Sequence, residues 1–245
     1  MLQPIGKGET IVSAGEGVTE LPSGALGSRF VLEWSARVVI VVVFTLLAMV
    51  NLAGIYHVVP IDSFERGLTA AARLANCMFL VLIAATALTR LSPIMKAKGI
   101  EPRVSALLGT FLCLTLVVFP KANIGPVLSI MATMLTTIGA VMSFIVLRWL
   151  GKSFSIHAEA RRLVTNGPYR IVRHPLYLCE GIALLGVAIQ VISPLAIVVV
   201  LAIAALQFRR MINEEAVLRS AFPEYLSYAA RTPRVIPRSL PGLGR

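Results

Sequence analysis

Six apolar segments run through this sequence, and they leave few folds open to it. A helix needs about 20 consecutive apolar residues to cross the hydrocarbon core of a bilayer. Apolar residues make up 57% of the 245 residues and charged residues 14%, and the mean hydropathy is +0.82. We therefore predict an all-α integral membrane protein with about five to six transmembrane helices arranged in hairpins. The predicted segments lie at about 31–52, 68–91, 104–119, 126–150, 176–192 and 194–208.

Three of the segments are short. Those at 104–119, 176–192 and 194–208 are close to or below the lower limit of about 17 residues for a span. For these we expect little tilt, a helix that stops short, or a partly inserted hairpin. The other three are long enough to span the hydrocarbon core.

Basic residues are concentrated at about 90–103, 148–173 and 209–238, whereas the connection at 51–65 has no Lys or Arg. Because Lys and Arg accumulate in cytoplasmic loops, this distribution predicts that both termini and the basic connections are cytoplasmic. Three helical hairpins then open toward the cytoplasm, and the functional site lies on that side. Apart from Arg73, near the start of the second segment, the first four segments carry no charged residue in mid-span.

The formal net charge is +11. Since the basic residues flank apolar spans, we interpret this charge as orientation and contact with anionic headgroups, and we predict no nucleic-acid partner. Membrane lipids are the predicted surroundings, and the oligomeric state is left open. The three Cys show no CxxC or Cys/His spacing, so no metal site is predicted.

The sequence divides into three predicted parts. Residues 1–30 are rich in Gly, Ser, Glu and Thr and are predicted to be a disordered lead. Residues 31–150 form a four-helix transmembrane region. Residues 151–245 contain a short helical hairpin and a C-terminal cap, and they carry the polar motifs from which a function can be inferred.

The first polar motif is the stretch 163–180, LVTNGPYRIVRHPLYLCE. Its Gly-Pro pair predicts a turn, and Pro175 is suited to the first turn of a helix. A helix start at this point offers free N–H groups to a carboxylate. Its cations and aromatic faces are Tyr169, Arg170, Arg173, His174 and Tyr177. These are suitable parts for an anionic or zwitterionic nucleotide-like cofactor.

The second motif follows the last apolar segment and contains Arg210, Glu214 and Glu215. Arg210 and Glu214 are four residues apart and share a helix face. Two carboxylates near a membrane can hold a cationic ligand or accept hydrogen bonds from a ribose. We predict these three residues as catalytic, with Glu214, Glu215 or His174 as the candidate proton acceptor. Residues 222–228 are predicted to form a short amphipathic helix and 231–237 an extended cap.

Both motifs resemble the isoprenylcysteine carboxyl methyltransferase family and the related phospholipid N-methyltransferases. The resemblance covers about 151–237 and is carried by LGKSFSI, LVTNGPYRIVRHPLY and RMINEEAVLRSAFPEYLSY. It implies S-adenosyl-L-methionine as cofactor and places Arg210 beside the methyl acceptor. The implied cofactor contacts are Arg161, Arg162, Leu163, Val164, Tyr169, His174, Pro175, Leu176, Tyr177 and Glu214. The chain departs from the family at one point, because a polar cofactor-binding residue that the eukaryotic enzymes carry before the Gly-Pro turn has no clear equivalent here; Ser153, Ser155 and His157 are the candidates to replace it.

The predicted function is therefore methyl transfer from S-adenosyl-L-methionine to a lipidic or small-molecule acceptor, at a carboxyl oxygen, an amine or a thiol. In-line methyl transfer chiefly requires alignment and exclusion of water. Two alternatives remain. A membrane reductase of the sterol-reductase type would bind NADPH, and a non-catalytic membrane scaffold would bind no cofactor.

Overall fold

A computed structural model describes the backbone of residues 23–237 and the side chains of residues 34, 35 and 37–237. The chain divides into two units, Met1–Ala36 and Arg37–Arg245. Of the first unit, the structure describes helical backbone from Ser23 onward. Residues 1–22 of the predicted lead lie outside the described residues. Residues 23–30 of it belong to a helix.

The described chain is mostly helical, as predicted. A 3-10 turn over Leu112–Val118 continues the third helix, and two short strands, β1 (Met95–Lys96) and β2 (Glu159–Ala160), pair antiparallel. The α-helices are α1 (Ser23–Tyr56), α2 (Phe64–Thr89), α3 (Glu101–Phe111), α4 (Gly125–Leu150), α5 (Pro175–Gln190), α6 (Pro194–Ala221) and α7 (Tyr225–Arg231).

Five helical stretches within the described residues are long and apolar enough to cross a membrane, which agrees with the predicted multi-pass architecture. They are Arg37–Tyr56, Phe64–Thr89, Glu101–Val118, Gly125–Ser153 and Pro194–Ala221. The sixth apolar helix, α5, has 16 residues and stays short.

The last apolar helix is longer than predicted. The sequence prediction ended it at 208, where the apolar run ends, but α6 continues to Ala221. The extension is built largely from good helix formers such as Arg, Met, Glu, Ala and Leu, so the helix continues after hydropathy has fallen. As a result, the second polar motif lies on a regular helix, and the spacing of its residues defines helix faces.

The connections between helices meet at two ends. At one end, which we call the basic end, Leu91 N donates to Lys152 O at 3.0 Å, and β1 pairs with β2. The basic end also contains residues 163–174, which we call the motif loop, and residues 232–237 after α7, which we call the C-terminal segment. At the opposite end, Ala122 N donates to Gln190 O at 2.9 Å. The cytoplasmic orientation of the basic end stays a prediction.

Small residues bring α4 and α5 close together. A Cβ added at Gly139 would lie 2.7 Å from the Cα of Ala183, which no real packing allows. Close backbone approach of this kind is a main source of helix association in lipid, where no hydrophobic driving force acts between helices. Helix α4 also packs against α2, and α3 packs against α6. The α4–α5 contact therefore fixes the helix that carries the motif residues.

We expect Gly139→Ala to lower the free energy of unfolding by about 1–3 kcal/mol, because the added methyl group overpacks the α4–α5 contact. Gly181→Ala is the matched control, since open space surrounds a Cβ at this position of α5. It should be neutral or stabilising by up to about 1 kcal/mol. Unfolding in mixed detergent micelles measures both variants. Equal stabilities would contradict the close contact.

Candidate functional site

A cavity of about 1620 Å³ runs between the two ends of the helix bundle. At the opposite end it is lined by Asn51, Lys121 and Gln190. At the basic end it is lined by all the predicted site residues except Pro175 and Glu215, namely Arg161, Arg162, Leu163, Val164, Tyr169, His174, Leu176, Tyr177, Arg210 and Glu214. The structure thus brings two motifs, separated by more than thirty positions in the sequence, onto one cavity wall.

The motif loop before α5 is held from two sides. Gly167 has φ +61°, and a Cβ at this position would lie 2.7 Å from the Trp149 ring, so both the conformation and the space require glycine. On the other side, Tyr228 of α7 donates its hydroxyl to the carbonyl of Tyr169 at 2.6 Å. The short helix predicted at 222–228 lies three residues later, at Tyr225–Arg231, and this hydrogen bond ties it to the loop.

Glu215 is the most heavily paired carboxylate of the site. It is 1% exposed, and its oxygens accept from Nε and Nη2 of Arg234, both at 2.9 Å. His174 Nε2 lies 3.1 Å away, Arg173 Nη2 3.3 Å and Arg219 Nη2 3.5 Å. Glu215 does not line the cavity. Its contacts position the motif loop against the C-terminal segment, and the catalytic role predicted from sequence stays a prediction.

The C-terminal segment after α7 crosses the motif loop. Arg173 N donates to Pro233 O at 2.9 Å, and His174 N donates to Arg234 O at 3.0 Å. These two bonds tie the chain just before α5 to the C-terminal segment. That the N–H groups of the first turn of α5 bind a ligand carboxylate stays a prediction.

Glu214 faces the cavity. Tyr177 donates its hydroxyl to Glu214 Oε1, and His174 Nδ1 lies 3.9 Å from Glu214 Oε2. The guanidinium carbon of Arg210 lies 5.1 Å from the centroid of the Tyr177 ring, on the same cavity wall. A carboxylate, a phenol and a cation are therefore presented together to whatever occupies this part of the cavity.

The prediction missed two polar residues that continue this wall. Gln207 Nε2 donates to Glu180 Oε2 at 3.0 Å, and Arg210 Nη1 donates to Gln207 Oε1 at 2.9 Å. Both residues line the cavity. A helical spacing could have found them, because Gln207, Arg210 and Glu214 lie at i, i+3 and i+7 of α6, and Tyr177 and Glu180 lie at i and i+3 of α5.

Several buried donors on the cavity wall have no hydrogen-bond partner among the described residues. Arg161 is 5% exposed and pairs with Glu159 through Nη2, but its Nε and Nη1 are unpartnered. Burial raises the pKa of the Tyr225 hydroxyl to about 12, so this group stays protonated and can donate at neutral pH. Unpaired buried donors are costly, which favours a site for a polar ligand or water. The unpartnered atoms are Ser153 Oγ, Arg161 Nε and Nη1, Arg173 Nε, Arg210 Nε and Tyr225 OH.

Residues 121–225 match the family model described as phospholipid methyltransferase. The match confirms the family resemblance predicted from the sequence, and the segment contains the motif loop, α5 and α6.

Two curated proteins are similar to parts of the chain. A stretch of 78 residues is 49% identical to the cobalt-zinc-cadmium resistance protein CzcN of Cupriavidus metallidurans, covering 31% of this chain and 36% of that protein. A stretch of 81 residues is 38% identical to the nickel-cobalt-cadmium resistance protein NccN of Alcaligenes xylosoxydans xylosoxydans, covering 33% of this chain and 38% of that protein. The chain therefore matches little more than a third of the length of either relative.

Replacing Glu215 by Gln should lower the free energy of unfolding by about 3–5 kcal/mol, because Arg173 and Arg234 lose their common counter-charge. Glu224→Gln is the matched control, since Glu224 is exposed just before α7 and forms no ion pair with another described residue. Its effect should stay within about 0.5 kcal/mol. Denaturant titration in micelles compares the two. A Glu215 variant as stable as the control would contradict the positioning role.

Proposed function

We propose that the chain is a membrane-embedded methyltransferase that uses S-adenosyl-L-methionine and transfers the methyl group to a lipidic or small-molecule acceptor. The family of residues 121–225 supports methyl transfer. The observation that carries the proposal is the set of unpartnered buried donors next to Glu214 and Tyr177, in a cavity that continues into apolar space. Such a cavity suits one polar and one apolar reactant.

The residues at the basic end suit the chemistry of S-adenosyl-L-methionine. Its carboxylate would take hydrogen bonds from unpartnered donors such as Arg161 and Tyr225. Glu214 would accept from ribose hydroxyls or stabilise positive charge, and the Tyr177 ring offers a π face. When bound, the cofactor would supply an electrophilic methyl group on a sulfonium. The protein's share is to hold the reactants in line and to keep water out.

The acceptor would lie on the bundle side of this site. The cavity exceeds the about 300–1,000 Å³ of a typical small-molecule pocket, so it has room for two reactants. Arg210 would hold an acceptor oxygen with its unpartnered Nε. A carboxylate acceptor needs no base, whereas an amine or thiol would give its proton to Glu214 or His174. Glu215 keeps His174 in place rather than touching either reactant.

Cofactor binding tests the proposal directly. We expect S-adenosylhomocysteine to raise the melting temperature of the purified protein and NADPH to leave it unchanged. Glu214→Gln and Arg161→Gln should each weaken S-adenosylhomocysteine binding by about tenfold or more, because each removes a charge-assisted contact. Arg170→Gln is the matched control, since Arg170 is exposed and does not line the cavity.

Stronger stabilisation by NADPH would favour the membrane-reductase alternative, and no stabilisation by either compound would favour a scaffold. If both site variants bound S-adenosylhomocysteine as the wild type does, the site assignment would fail. The acceptor is found by incubating membranes with methyl-labelled S-adenosyl-L-methionine and separating lipids, proteins and small molecules. The label should appear in one fraction with the wild type and disappear with Glu214→Gln.

The names of the two relatives concern metal resistance, and we propose the same physiological setting for this methyl transfer. In a host that carries the gene, its deletion should lower tolerance to cobalt, zinc or cadmium. The wild-type gene should restore tolerance, and a Glu214→Gln gene should not. Full rescue by that variant would separate the resistance from the proposed catalysis. The minimal inhibitory concentration of each metal is the measurement.

A further inference from the structure

Arg73 is a cation inside a membrane-spanning helix, far from the proposed methyl-transfer site. It lies nine residues after the start of α2 at Phe64, or about 14 Å along the helix axis. Its side chain is half-buried and lines the cavity. A Cβ added at Gly54 would overlap its guanidinium, so the charge rests against α1 inside the bundle. Among the described residues it has no hydrogen bond or ion pair, and charges at such positions commonly mark ligand sites.

Polar residues surround Arg73 in the half of the cavity near the opposite end, which we call the distal half. On α2, Thr69, Arg73 and Asn76 lie at i, i+4 and i+7 and share the cavity face. Asn76 Nδ2 donates to Asn51 Oδ1 at 3.1 Å, which joins α2 to α1 one turn beyond Arg73. The other polar side chains that line the distal half are Glu65, Lys121, Asn123, Ser129, Thr133, Thr136 and Gln190.

Between the distal half and Arg210 the cavity wall is apolar. The face of α2 that carries Arg73 continues with Leu80 and Ile83, which also line the cavity. From Arg73 to Ile83 the helix rises about 15 Å. The ring of Phe44 lies 6.0 Å from that of Phe111 at this level, so α1 and α3 enclose the same space. The cavity therefore has polar groups at both ends and a hydrocarbon-like middle.

We propose that the distal half binds an anionic group, a carboxylate or phosphate, carried on the far end of an elongated amphiphile whose apolar chain fills the middle of the cavity. Arg73 is the contact for the anion, with Asn76 as a neighbouring donor. Lys121 adds a second cation at the mouth, against the single carboxylate of Glu65. The proposal rests on the proposed function only in naming this amphiphile as the methyl acceptor.

The probe is tritiated palmitate, bound to the purified protein in phosphatidylcholine nanodiscs with saturating S-adenosylhomocysteine. Unlabelled palmitate should displace it, hexadecanol should compete about tenfold less well, and acetate should not compete, because both the charge and the chain are needed. Arg73→Gln should lower palmitate affinity by about tenfold, and Arg73→Lys should retain part of it. Arg66→Gln is the matched control, since Arg66 pairs with Asp62 at the exposed start of α2 and does not line the cavity.

Wild-type affinity in Arg73→Gln would overturn the proposal. Loss of palmitate binding in Arg210→Gln but not in Arg73→Gln would overturn it as well, since the carboxylate would then lie at the basic end. Displacement by acetate would show a small-anion site and overturn the elongated amphiphile. Each variant is first assayed for S-adenosylhomocysteine binding. Failure of that assay in the wild type counts against the proposed function, whereas Arg73-dependent palmitate binding is read independently.

Discussion

The ion cluster around Glu215 is the interaction on which the basic end depends. One buried carboxylate of α6 joins His174 and Arg173 of the motif loop to Arg234 of the C-terminal segment. Without it, the guanidinium groups of Arg173 and Arg234 would have no carboxylate between them at the head of α5. A buried carboxylate with several cationic partners is costly to remove from water and even costlier to leave unpaired, so such a cluster tolerates few geometries. Its physical consequence is that the motif loop, α6 and the chain end hold one fixed arrangement.

The same arrangement determines the surroundings of the adjacent carboxylate, Glu214. Glu214 and Glu215 are neighbours on α6 and point about 100° apart around the helix axis. Because Glu215 holds the cations on one side, Glu214 is left on the cavity side with the Tyr177 hydroxyl. Two identical side chains therefore have different surroundings, one paired with cations and one facing the cavity.

Much of this site followed from the sequence, because its motifs are local. The Gly-Pro turn, the helix start at Pro175 and the polar run after 208 can all be recognised within about 20 residues each. The different surroundings of Glu214 and Glu215 could not be predicted from the sequence, because they depend on which face of α6 meets the motif loop. Glu180 and Gln207 were missed because they are single polar residues within apolar runs. A hydropathy average over a window hides a single polar residue. The pairing of Glu180 on α5 with Gln207 on α6 becomes visible only in the three-dimensional structure.

Hydropathy alone predicts neither the full length of α6 nor a functional position for Arg73. Hydropathy ends a segment where polarity rises, yet α6 continues to Ala221, and its residues Gln207, Arg210 and Glu214 line the cavity. Arg73 is the converse case, because it is a charged residue within a helix whose mean hydropathy is still high enough for a membrane span. Both are explained by the cavity, because a helix face turned toward it need not be apolar like a face turned toward lipid. A reactant that enters the cavity meets polar groups first, then apolar side chains and then polar groups again. An elongated molecule with a polar group at each end satisfies all three zones at once, whereas a short polar molecule would leave the apolar middle without a partner.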